Sequence, residues 1–228
     1  MVYPASSHDP ASYWDQLHEQ PRFRPVYPDE NVVRFLIKNY NQLLDQARRL
    51  RVLDLGVGGG RHIKLLCELG FDAYGFDVSM TGLRYTREWL RKNSWKAGLV
   101  RASMVTLPFK DELFDAVISV GVLHYGDRRD LQQAIQEVHR VLKLGGKTFV
   151  ALKTIADYRF GKGEEIEPDT FIMKIHETNE YGTIHHFLSE KAVFEHFSLF
   201  SGTELEKIEI TFDQRRSVNS DWLITAEK

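Results

Sequence analysis

The chain has 228 residues, 43% hydrophobic and 27% charged, with a formal net charge of −2. That balance suits a globular chain with a large core and excludes both a disordered tract and a strongly basic domain built to grip a nucleic-acid backbone. One cysteine, Cys67, rules out an intrachain disulfide framework and a multi-cysteine zinc site, and a lone thiol fits a reducing, cytoplasmic setting. Residues 1–10 lack a basic stretch followed by an apolar one, so no signal peptide is expected. No uncharged apolar run reaches the ~18 residues of a spanning helix.

Residues 1–50 read as helix and loop. Asp9-Pro10 starts a first helix with Tyr13, Trp14 and Leu17 at helical spacing, and Asp29 caps a second through Val32, Val33, Leu36, Tyr40, Leu43 and Leu44. Residues 51–152 alternate strand and helix. Strands fall at 51–55, 73–76, 99–102, 114–120 and 147–152. Helices lie between them: one through Ile63, Leu65, Leu66 and Leu69 ended by Gly70, one over 79–92, and one begun by Asp127 or Asp130 and ended by Gly145-Gly146. Such alternation implies parallel βαβ units. Residues 153–228 differ. Residues 154–186 read as irregular and charged, Ser189 caps a helix, and 204–212 and 217–226 form a terminal antiparallel pair.

The most informative segment is Asp54-Leu-Gly56-Val57-Gly58-Gly59-Gly60-Arg61-His62, where a strand turns on glycines into a helix. Glycine lets a backbone approach a ligand without a Cβ in the way, and a helix start offers free N–H groups. The G-x-G-x-x-G spacing fails, because its third glycine would fall on Arg61 or Ile63, and no P-loop Gly-Lys-Ser/Thr ending is present. Asp54 just before the glycines would repel a pyrophosphate but suits a ligand with a cationic amino group.

These residues carry a resemblance. The Asp54-Leu-Gly-x-Gly-x-Gly turn and the strand ending in Asp77 resemble the class I S-adenosylmethionine-dependent methyltransferases, closest to their small-molecule members. The segments Leu107-Pro108-Phe109 to Phe114-Asp115, Val117 to Tyr125 and Glu137 to Gly146 look like further family signatures. The resemblance covers about residues 50–152 and implies an α/β fold: a three-layer, Rossmann-like, seven-stranded, mostly parallel sheet with an antiparallel terminal strand. A helical N-terminal arm (1–50), a cofactor core (51–152) and a lid segment with the last helix and two strands (153–228) would then make one domain.

By the same resemblance the cofactor is S-adenosyl-L-methionine. Gly56, Val57 and Gly58 would pass its methionine portion, with Asp54 acting through the loop or water near the amino group. Asp77 would accept from both ribose hydroxyls, or cap the following helix, or do both. Val78 would pack on the adenine. Ser103 stands where the family often has Asp, so its hydroxyl would accept from the adenine amino group without charge assistance, while the Met104 N–H donates to the ring. Val120 and Gly121 would face the methyl-transfer side. Arg61 would reach the cofactor carboxylate or a surface acid. Tyr13 and Trp14 either shield the sulfonium or staple the arm to the domain. Arg22, Arg24 and Tyr27 suggest a structured arm or a solvated loop.

Methyl transfer proceeds largely by positioning, with a general base helping a hydroxyl acceptor. His124 is the first candidate base and His185, with His186, the second. Each is also readable as structural. His176, His185 and His186 lack metal-site spacing, so no metal is expected. No Asn-Pro-Pro-aromatic motif or catalytic cysteine points to DNA methylation. The expected partner is therefore a small-molecule acceptor (a metabolite, natural-product or saccharide intermediate), with RNA disfavoured. An RNA or protein methyltransferase and a non-catalytic cofactor-binding scaffold remain the alternatives.

Overall fold

The structure, a computed structural model, describes residues 9–40, 49–176 and 178–228. Leu43 and Leu44, expected on the second helix, and the N-terminal residues 1–8 lie outside them. Six α-helices and ten strands are described: α1 (Pro10–His18), α2 (Glu30–Tyr40), β1 (Arg51–Leu55), α3 (Arg61–Glu68), β2 (Asp72–Asp77), α4 (Met80–Lys92), β3 (Ala97–Arg101), β4 (Phe114–Val120), α5 (Arg128–Val141), β5 (Leu142–Lys153), β6 (Gly163–Glu167), β7 (Thr170–Met173), β8 (Ile184–His186), α6 (Glu190–His196), β9 (Gly202–Phe212) and β10 (Ser217–Glu227). Seven strands form one sheet in the order β3-β2-β1-β4-β5-β10-β9. β1 to β5 pair parallel, and β10 runs antiparallel to both β5 and β9. The expected seven-stranded, mostly parallel architecture is what folds.

Its central strands are apolar on both faces because both are covered. Leu53, Leu55, Val117, Val150 and Leu152 pack with Leu131, Ile135 and Val138 of α5 and Val193 of α6. Val52, Ala116, Ile118 and Phe149 face the other way, onto Val32, Phe35 and Leu36 of α2 and Ile63 and Leu66 of α3. The helix starts follow their capping residues. Asp127 and Asp130 share a capping box at α5, and the hydroxyls of Ser79 and Ser189 accept from Gly82 N and Ala192 N.

Two family-like segments have structural work. Glu137 and Arg140 of α5 clamp the loop before β4: Leu107 N donates to Glu137 (2.7 Å), while Arg140 donates to the carbonyls of Leu107 (3.0 Å) and Phe109 (2.8 Å). Asp115 accepts from Arg51 N at 2.8 Å and pairs with Lys143 at 2.6 Å, tying β4 to its neighbours.

Three expectations need correction. Gly145-Gly146 does not end α5. The helix stops at Val141, and residues 143–146 bulge out of β5 opposite Asp115, with Gly145 at φ +72 donating its N–H to Lys228 O. The third strand is Ala97–Arg101, two residues earlier at its start, where Lys96 hid the onset from an apolar pattern. Residues 154–186 are not irregular: β6, β7 and β8 form a separate three-stranded antiparallel sheet over a small core of Phe171, Met173, Ile175 and Phe187. Glu164 and Glu165 of β6, at the edge of this sheet, are both exposed, one on each face.

A charged cluster anchors this inserted sheet. Arg159 donates to Asp157 (3.0 Å), to Glu180 in the β7–β8 loop (2.7 Å) and to Asn219 of β10 (3.1 Å). Asp157 has a fully buried side chain and also accepts from Ser220 N at 3.0 Å. Replacing Arg159 with Ala leaves that carboxylate with the more distant Lys153 at 3.5 Å. The expected loss is about 3 kcal/mol of unfolding free energy, read by urea denaturation. A change below about 1 kcal/mol would mean that the cluster does not hold the insert.

Candidate functional site

A large cavity lies at the carboxyl ends of β1, β2 and β4, where open α/β sheets receive ligands. Its volume is about 1240 Å³. That exceeds the roughly 300–1,000 Å³ of a site for one small ligand, so two molecules can lie side by side. Three parts of the chain wall it: the glycine loop with the ends of β2 and β4, the arm, and the inserted sheet.

The glycine loop is locked in place by Asp77. One carboxylate oxygen accepts from Gly58 N at 2.7 Å and the other from Ser79 N at 2.8 Å. Gly56, at φ +75, leaves no room for a side chain, since a Cβ there would meet Val122 at 2.2 Å. Burial pushes the Asp77 carboxyl above its ordinary value, against the two N–H donors, and among the described residues no lysine or arginine pairs with it. Asp54 is buried beneath the loop. His62 Nε2 accepts from Asp29 N, so its Nδ1 carries the proton toward Asp54 Oδ1 (3.4 Å), and Asp54 Oδ2 has no hydrogen-bond partner.

The arm closes over this loop. Asp15 accepts from Ser79 Oγ and Thr81 N, both at 2.8 Å, at the start of α4. His18 Nδ1 meets Ser79 Oγ at 2.9 Å, and Glu19 pairs with Arg84 at 2.8 Å. Arg24 lies over the Tyr85 ring at 3.5 Å and donates to His18 O. Close approach makes this seat possible: a Cβ on Gly59 would strike Arg24 at 2.8 Å, and one on Gly82 would strike His18 at 2.9 Å. Trp14 then meets Tyr125 edge to face, with ring centroids 4.9 Å apart, joining arm to β4 loop.

Gly56, Val57, Gly58, Asp77, Val78, Ser103, Met104, Val120, Gly121, Arg61, Tyr13 and Trp14 border the cavity, whereas Asp54 does not. Ser103 Oγ accepts from Val105 N at 3.4 Å. Of the arm residues, Arg24 is fastened, Arg22 reaches Asn179 at 3.2 Å, and Tyr27 is exposed. Cys67 is partly buried against the second core, as expected of a helix-face thiol.

The two candidate bases sit elsewhere. His124 and His185 are buried behind Tyr125, and neither borders the cavity. The Tyr125 ring lies between the cavity and both imidazoles, at 4.4 Å from His124 and 4.6 Å from His185. Burial holds His124 well below the ordinary value and His185 down at about 3, so both are neutral. His124 Nδ1 and both nitrogens of His185 lack partners. His186 bonds Thr170 Oγ1 at 2.7 Å, and no group of three metal-ligating side chains occurs among the described residues.

Sequence reasoning missed His18, Tyr125 and Asp130 as cavity residues. His18 follows Trp14 by one helical turn, a spacing that was legible. Asp130 was read only as a helix start, and the insert's wall (Ile172, Lys174, Tyr181, Ile184) was hidden in a segment taken for a loop.

Comparison with known proteins fits this geometry. Residues 52–146 match the family model described as a methyltransferase domain. The chain is 28% identical over 155 residues to the ubiquinone biosynthesis O-methyltransferase of Pelagibacter ubique, covering 67% of this chain and 62% of that protein. It is 30% identical over 132 residues to a probable tRNA methyltransferase 9B of Mus musculus, covering 55% and 27%. The chain thus spans less than two thirds of the length of either relative. In fold it is similar to an S-adenosylmethionine-dependent methyltransferase of Methanosarcina mazei, with a TM-score of 0.67 at 21% identity, covering 85% of this chain and 96% of the other.

The buried histidines give the molecule an acid limit. The unfolded chain titrates its histidines near pH 6.5, whereas burial holds His185 near 3 and His196 near 4 in the folded state. Stability is therefore present above about pH 6.5 and is lost as the pH falls from there towards those folded values. Thermal melts from pH 7.5 to 4.5 are expected to show this decline. The variant His185→Phe should lose less of its stability over that range, and a slope equal to wild type would contradict the burial account.

Proposed function

We propose that this chain, whose core is a class I S-adenosylmethionine-dependent methyltransferase domain, methylates a small-molecule acceptor held beside the cofactor in one cavity. The observation that carries this reading is the two-part wall of that cavity: a glycine loop locked by Asp77 on one side, the chain's own arm and insert on the other. An opening roofed in this way suits a compact acceptor rather than the surface of a folded nucleic acid.

The residues fit S-adenosyl-L-methionine. Each Asp77 oxygen accepts one backbone N–H and retains a lone pair, so the carboxylate can take two more donors, as the adjacent hydroxyls of a ribose supply. That among the described residues no lysine or arginine pairs with this buried carboxylate supports a neutral polyol as its partner. Val78 and Met104 offer apolar flanks for the adenine, and Ser103 a hydroxyl for its amino group. Gly56, Val57 and Gly58 leave backbone space for the methionine portion, and the unpartnered Asp54 Oδ2 beneath them supports an amino group or its water nearby.

When bound, the cofactor supplies an activated methyl group on a sulfonium sulfur. The chain contributes orientation and exclusion of water. Trp14 and Tyr125 close the cavity between arm and β4 loop, while Val120, Gly121 and Val122 present a small-residue and apolar edge to the reacting region. Positioning and desolvation account for the acceleration without a base from His124 or His185, which Tyr125 screens from the cavity.

Calorimetry is expected to show S-adenosylhomocysteine binding, weakened more than tenfold by Asp77→Ala. Labelled S-adenosylmethionine incubated with a metabolite extract should pass its methyl group to a small molecule identifiable by mass. No binding at millimolar ligand would overturn the cofactor assignment. Label appearing in transfer RNA and in no metabolite would overturn the small-molecule reading.

A further inference from the structure

Beyond the cofactor residues, the cavity continues between the arm, the end of β4 and the insert, and this region has a chemistry of its own. Its walls are largely rings and aliphatic chains, including Trp14, Tyr125, Ile172 and Tyr181. Among the described residues two carboxylates border the cavity, Asp77 and Asp130, and Asp77 belongs to the cofactor side. Asp130 stands on the first turn of α5, next to Gly126 at the end of the β4 loop.

The acids around Asp130 have structural partners. Asp127 accepts from the backbone N–H groups of Arg129 (2.8 Å) and Asp130 (2.9 Å). Glu167 accepts from Arg128 N at 2.7 Å and Thr170 Oγ1 at 3.1 Å. Asp130 itself takes only a long bond, 3.4 Å from Asp127 N to Oδ2. Gly126 keeps it accessible, since a Cβ there would sit 2.8 Å from that same oxygen.

Among the described residues no lysine, arginine or histidine forms an ion pair with this carboxylate. The cavity-lining Lys174 pairs with Glu164 at 2.9 Å, and His176 stacks on Tyr181 at 4.4 Å. Burial, with the charges of Asp127 and Glu167, pushes the Asp130 carboxyl above its ordinary value. A positive charge from a ligand relieves that repulsion, and aromatic faces in the same chamber favour a cation further.

We propose that the acceptor carries a basic amine, bound as its ammonium, with Asp130 as counter-ion and the Trp14, Tyr125 and Tyr181 rings as the surrounding wall. This rests on the methyltransferase reading and names the class of its acceptor. Cofactor binding is read by S-adenosylhomocysteine alone, so failure of this proposal and failure of the cofactor reading are distinguishable.

The test uses the full chain saturated with S-adenosylhomocysteine, whose binding reports on the cofactor subsite by itself. Phenethylamine and its neutral isostere 2-phenylethanol are then titrated at pH 7.5. The wild type is expected to bind the amine at least tenfold more tightly than the alcohol. In Asp130→Asn that preference should fall at least tenfold, with melting temperature and S-adenosylhomocysteine affinity unchanged, because the amide oxygen still accepts from Asp127 N. Asp130→Gln, which also keeps a capping acceptor, serves if the first variant melts early. Equal binding of amine and alcohol, no amine binding at millimolar concentration, or a preference that survives both variants would overturn the proposal.

Discussion

The placement of the Asp77 carboxylate is the constraint on which the rest of the site depends. It ends β2 under cover, with its side chain turned to the cavity and each oxygen holding a backbone N–H, one from the glycine loop and one from Ser79. A buried carboxylate is costly unless its charge is compensated by hydrogen bonds. Here the compensating groups are the turn and the start of α4, so the cost of burial is offset by ordering both. Ser79 passes the constraint outward, since its hydroxyl meets His18 and Asp15 of the arm. Loop, helix and arm thus share one reference point at the end of a central strand.

The same logic explains why the arm and the insert, and not the core, form most of the cavity's second half. Neither has a large core of its own. The first part of the arm, α1 to Arg24, is held by directional contacts to α4, and the insert by four apolar residues plus the cluster around Arg159. Such attachments fix geometry at modest stability, which suits walls that admit a ligand between them. The sheet, with two apolar faces and its Glu137–Arg140 clamp, carries the stability and keeps the strand ends fixed.

Much of the core was legible in the sequence because its patterns are local. β1 and β4 fall at the expected residues, the caps Ser79, Asp127 and Ser189 begin their helices, and the glycine turn joins β1 to α3 where expected, while its bond to Asp77 was not foreseen. What escaped depends on long-range contact. Gly145-Gly146 looks like a helix end, yet the strand pairing of β5 with β4 begins before it, at Leu142. The insert's strands are short, and its edge strand β6 carries charge on both faces at Glu164 and Glu165, so alternation was masked. Nothing local to His124 or His185 tells a cavity-facing histidine from an interior one, and it is their packing with Tyr125 that places them in the interior. Asp130 is a helix cap by sequence, and a cavity carboxylate only once Gly126 and the insert are in place.

The central claim is that one ligand engages the glycine loop, the end of β2 and the arm together. Hydrogen–deuterium exchange with and without S-adenosylhomocysteine tests this most directly. The account predicts slowed exchange in three segments at once, residues 10–24, 56–62 and 77–83, with β9 and β10 unchanged. Saturation of the protein with no protection in the glycine loop and β2 end, or protection confined to other segments, would contradict it.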